Sequence, residues 1–178
     1  MYDVDERDRV ITLEGMPQSS VGAPLPFVMA DEHRVILAYY LEDRPAGWDG
    51  SNTRIVDPMV SQEPIALIRF QSYAAFMFGP PNDEALAGHP LASRGLHPYD
   101  AIRIEDALWI RRLERMNSVH RNHRPKRFWE LEHLVFTFHD SIFECVCQTL
   151  DIRTAHGSIH DMIPEMNKLL QWAKPEGN

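Results

Sequence analysis

Cysteine is nearly absent from this sequence, and the two that occur, Cys145 and Cys147, are separated by one residue. On a strand that spacing puts both on one face, in a poor geometry for bonding to each other. A disulfide-stapled secreted domain is therefore not expected, and a reducing cytoplasm is the expected compartment. Long hydrophobic runs are missing too. No stretch approaches the ~18 apolar residues of a membrane span, so no membrane partner is expected. Residues 1–8 are acidic where an export signal would be basic and then apolar. Compact catalytic signatures are also lacking: there is no Gly-x-Ser-x-Gly, no phosphate or dinucleotide glycine loop, no His-Glu-x-x-His and no Cys-x-x-Cys. Positive charge is in deficit. With 26 acidic against 18 basic side chains the net charge is −8, which disfavours phosphate backbones, so no nucleic acid partner is expected.

What is present fits one folded domain over 1–178. The chain is 44% hydrophobic and long enough to bury about 70% of the surface its unfolded form exposes. Thirteen prolines and nine glycines cut it into short pieces, favouring strands over a helical bundle. Val10–Leu13 reads as a strand, and Phe27–Ala30 with Arg34–Leu41 as a hairpin. The second hairpin arm is apolar on both faces, which predicts a central strand covered on both sides. Ile65–Phe70 and Tyr73–Phe78 read as the next strand pair, Ala101–Ile104 as a short strand, and Leu134–Phe138 with Ile142–Leu150 as a second hairpin. Trp109, Leu113 and Met116 mark a helix over Asp106–Asn117. Ile163, Met166, Leu170 and Ala173 mark another over Asp161–Ala173, with Pro164 in its first turn. The expected fold is α+β: an antiparallel twisted sheet or open barrel of about seven to eight strands, with two helices packed on it. The segments 43–64 and 79–99 are long loops, a class that often carries function.

Three groups of residues carry a resemblance. Gly79-Pro80-Pro81-Asn82-Asp83-Glu84, His89-Pro90-Leu91 with Arg94-Gly95-Leu96, and Phe136-Thr137-Phe138-His139-Asp140-Ser141 with Phe143-Glu144-Cys145 resemble segments of small bacterial proteins without an assigned activity. The likeness spans the region from Ile65 to Val146 and implies a discrete bacterial family, with no chemistry attached.

Nine histidines are the most unusual compositional feature. His139 ends one hairpin strand and Glu144 lies early on the next, so the two are expected to approach across the ladder. His89 or His97, from the preceding loop, would complete two nitrogens and a carboxylate around zinc or iron. Trp48, stranded between Gly47 and Asp49 in a polar loop, is a candidate ligand contact, together with Tyr99 and Asp140. Cys145 lies mid-strand among apolar neighbours, where a thiol is inert rather than nucleophilic. The basic run Arg121–Arg127 follows Arg111, Arg112 and Arg115, with no aromatic stacking pattern accompanying the charges, and reads as a solvated helix face and loop. The leading expectation is a cytoplasmic domain that binds a protein partner or a small ligand. The alternative is a small metal-dependent enzyme built on His139 and Glu144.

Overall fold

The computed structural model describes residues 3–43 and 55–171. Among them, nine strands and three α-helices give the α+β class. The strands divide into two wholly antiparallel sheets instead of the expected single sheet or open barrel. One sheet has the order β1 (Arg9–Thr12), β6 (Ala101–Glu105), β7 (Glu132–Thr137), β8 (Ile142–Cys147) and β5 (Ala75–Gly79). The other has the order β2 (Phe27–Ala30), β3 (Arg34–Tyr40), β4 (Glu63–Gln71) and β9 (Thr149–Gly157).

Strand periodicity explains why two sheets form. Along β3, Val35, Leu37 and Tyr39 face one way while Ile36, Ala38 and Tyr40 face the other, and all six are buried. A strand apolar on both faces needs a cover on each side. The first set joins Ile68 and Phe70 of β4 against Phe136, Phe143 and Cys145 of the five-stranded sheet, forming the core between the sheets. The second set packs with Ile65 and Leu67 against Ile159, Met166 and Leu169 of helix α3 (Ile159–Leu170). The outer face of the five-stranded sheet is covered by Leu86, Leu91 and Leu96 from the 79–99 segment and by Trp109 and Ile110 of helix α1 (Leu108–Asn117). That long segment is thus a packed cover containing two 3-10 turns, Leu86–Gly88 and Ala92–Arg94.

Two strand expectations are corrected. β4 and β5 follow each other in sequence but do not pair, because both edges of β4 are taken by β3 and β9. The chain instead crosses between sheets at Gln71–Ala74, and β5 pairs with β8. The run 142–150 is likewise broken at Gln148, whose N–H donates to the Gln71 carbonyl at 3.2 Å as the chain crosses back. The two crossings lie side by side and form one corner of the sandwich.

The helices start where their first N–H groups find acceptors. Asp8 Oδ1 accepts from Leu108 N–H at 2.8 Å, so α1 begins two residues later than its acidic lead-in predicts. α3 begins two residues earlier, at a capping box in which Ser158 Oγ accepts from Asp161 N–H at 3.0 Å. Tyr40 Oη also accepts from Ile159 N–H, at 3.0 Å. Pro164 consequently sits in the second turn of α3 rather than the first. A third helix, the single turn α2 (Lys126–Trp129), begins at the end of the basic run and carries Phe128 and Trp129 beyond it. Among the described residues no helix is long and apolar enough to cross a membrane.

Candidate functional site

The parity of β7 and β8 decides which polar residues meet under the 79–99 cover. Thr137 pairs with Ile142 and Val135 with Glu144, so Glu144 and His133 are diagonal neighbours on the outer face. His89 descends onto them from the cover. His133 Nε2 lies 2.8 Å from Glu144 Oε2, and His89 Nε2 lies 3.2 Å from Oε1. The His89 Nδ1 accepts from Leu91 N–H at 3.2 Å, which leaves its Nε2 as the donor toward Glu144. All three side chains are buried, and Trp109 stands edge-on to His133 at 5.0 Å between ring centroids. Such a fully internal cluster ties cover to sheet.

His139 lies beyond the end of β7, so the expected approach of His139 to Glu144 is replaced by two separate clusters. Asp83 Oδ2 accepts from the Tyr99 hydroxyl at 2.9 Å and sits 2.8 Å from His139 Nδ1. Tyr99 Oη and His139 Nδ1 are 3.0 Å apart. Asp83 holds the imidazole above its ordinary pKa, and His139 and Tyr99 together hold the Asp83 carboxyl below its own. Burial, then Asp83, pushes the Tyr99 hydroxyl up to about 12. Tyr99 adopts φ +59°, a left-handed conformation uncommon for a bulky residue. Asp140 is exposed, its Oδ1 4.0 Å from His139 Nε2. The His97 carbonyl accepts from the Thr137 hydroxyl at 2.7 Å, and the residue itself is exposed. An imidazole with Nδ1 tied to a carboxyl can hold or pass a proton at Nε2. The adjoining hollow between Tyr99, Gln18, Tyr39 and Phe138 measures only about 120 Å³, room for a handful of waters.

The sequence-derived residues are therefore divided. Tyr99, Asp140 and His139 come together, joined by Asp83. His89 and Glu144 come together, joined by His133. Trp48 lies outside the described residues. Among those described, no group of three His, Cys, Asp or Glu side chains is disposed to hold a metal ion.

A large hollow forms at the sheet corner. A groove of about 990 Å³ opens between the crossing residues Ser72–Ala74 and Gln148 on one side and residues 117–131 on the other. Tyr73 donates its hydroxyl to the Asp31 carbonyl, tying the crossing to the β2–β3 turn. In that turn Asp31 Oδ1 accepts from His33 and Arg34 N–H at 2.7 and 2.8 Å, fixing where His33 meets the groove. Burial pushes the Asp31 carboxyl up, but those two N–H groups and Arg34 outweigh it and the net shift is downward. On the opposite wall, His123 anchors the turn after α1 through Glu114 Oε1 at 2.6 Å and Asn117 Oδ1 at 3.1 Å. This presents His120, Arg124, Arg127 and Phe128 to the groove. Arg124 and Arg127 are exposed and form no ion pair among the described residues.

The segment that forms this wall is basic in sequence, although Arg111 and Arg112 are paired with Asp5 and Asp3 away from the groove and Glu130 lines it. Residues 108–131 hold seven basic and two acidic side chains, a net of +5 in a chain whose total is −8. Local spacing hid the groove because its second ring, Tyr73, arrives from a turn some fifty residues away in sequence. No family model, curated protein or solved structure matches the chain.

Proposed function

We propose that the protein binds a small anionic ligand in the corner groove. The observation that carries this reading is the pair of guanidinium groups, Arg124 and Arg127, that form no ion pair among the described residues and line a hollow of about 990 Å³ in a chain of net charge −8. Convergent polar groups in a concave site fix the orientation of a small molecule. Guanidinium groups form charge-assisted bonds to oxyanions that are about twice as strong as neutral ones. Net negative charge elsewhere favours a compact anion over a polyanion, which would be repelled wherever it left the groove.

Ligands that bind only the folded state raise its stability, by about 2.7 kcal/mol at a hundredfold excess over Kd. Thermal unfolding with added citrate or inorganic phosphate at low ionic strength should therefore show a rising Tm. The double variant Arg124→Gln/Arg127→Gln should fold as before and lose that rise. If neither anion moves the wild-type Tm, or if the double variant responds equally, the reading fails.

A further inference from the structure

The corner groove is lined by rings as well as by cations. Phe128, from α2, is half-buried yet belongs to none of the three core clusters. Its nearest ring partner is His123 at 6.0 Å, tilted 39°. Tyr73 lines the facing wall, held edge-on to Phe76 at 5.6 Å with its hydroxyl anchored to the Asp31 carbonyl. Phe128, which contributes to no core and lines a large hollow, is placed for stacking, whereas Tyr73 also packs against the core between the sheets. Arg124, Arg127, His120 and His33 line the same hollow. Four such groups, coming from both walls, suit an oxyanion with several terminal oxygens better than a planar carboxylate, which a single guanidinium fork satisfies. The Asn122 side-chain amide adds a donor and an acceptor for a polar ring edge, while the Asn117 oxygen is held by His123 and the Gln148 amide by Glu130, which also lines the groove.

We infer that the groove recognises a small aromatic phosphate, a flat ring joined to a phosphoryl group; this rests on the groove being the ligand site. Phosphate lies against Arg124, Arg127 and the two imidazoles, while the ring lies between Phe128 and Tyr73. The hollow is large enough for one such molecule. Stacking of a ring on an aromatic side chain contributes about 1–3 kcal/mol, or roughly 5- to 150-fold in affinity.

Calorimetric titration of the whole chain with phenyl phosphate, inorganic phosphate and phenol tests this. Phenyl phosphate should bind roughly tenfold or more tighter than inorganic phosphate, and phenol should bind weakest. Phe128→Leu should bring phenyl phosphate close to the level of inorganic phosphate while leaving the latter unchanged. Tyr73→Leu supplies the same measurement from the other wall should Phe128→Leu fail to fold. Equal affinity for the two phosphates would overturn the aromatic assignment and leave the anion groove standing. So would a ring preference that survives both substitutions. Binding of neither phosphate would overturn both.

Discussion

At the residue scale, Glu144 carries the heaviest demand. Its carboxyl lies buried with an imidazole on each oxygen, so removing it leaves two internal rings facing an empty site. Glu144→Ala should destabilise the protein by about 3 kcal/mol in urea unfolding, the cost of stranding buried polar partners. An effect below about 1 kcal/mol would mean the cluster is hydrated or rearranges. The Asp83–His139 contact behaves differently because it titrates. The His139 pKa is raised above 6.5, so its contribution is complete below that pH and fades as pH rises through the folded value. The Asp83 pKa is lowered from 3.8, so its contribution is complete above that pH and fades as pH falls through the folded value. The stability difference between wild type and His139→Ala should therefore be greatest between pH 4 and 6.5 and shrink on both sides. A difference that stays constant with pH would show that the imidazole acts only by packing. The histidines and carboxylates of both clusters were legible as candidates from their types and loop positions. Their partners were not, because a four-residue turn at 138–141 sets a register in which His133, not His139, lies diagonal to Glu144.

Elements obey local rules until tertiary contacts overrule them. The β2–β3 hairpin and the β7–β8 hairpin follow from turn residues between apolar runs, and both form. The failures sit where the chain changes sheets, since nothing at Gln71–Ala74 or Gln148 marks a crossing rather than a turn. α3 shows the reverse: its cap at Ser158 precedes the apolar stripe and prevails even though it places Pro164 in the second turn. Ser158→Ala should cost about 1 kcal/mol, read by chemical denaturation, with Ser158→Asp recovering most of it. If Ser158→Ala is neutral, the Tyr40 hydroxyl already satisfies the helix end. The segment after α1 is held mainly through His123, and its arginines are exposed. Limited trypsin digestion should cut first after Arg121 or Arg127. Saturating phenyl phosphate should slow that cut; acceleration would place the ligand elsewhere.

For the whole molecule, the layered order of helix, four-stranded sheet, five-stranded sheet and loop cover accounts for where the apolar residues go. Cys145 and Cys147 lie in the central layer, and burial pushes the Cys145 thiol far above its ordinary range. Neither should react with a disulfide reagent until the sandwich opens, so labelling in urea should track global unfolding; fast labelling without denaturant would show that the sheets part locally. The mixed class and the double-sided burial of β3 were readable from composition and periodicity. The division into two sheets was not, because it depends on which strand edges are still free when β5 and β9 seek partners.

The +5 carried by residues 108–131 leaves −13 for the rest of the chain, and within that segment Arg124 and Arg127 form no ion pair among the described residues. Near pH 7 the protein should adhere to an anion exchanger, as its total demands, yet also be retained on a cation exchanger by those two side chains. Beside a negatively charged bead, the exposed Arg124 and Arg127 would make the corner groove the point of contact.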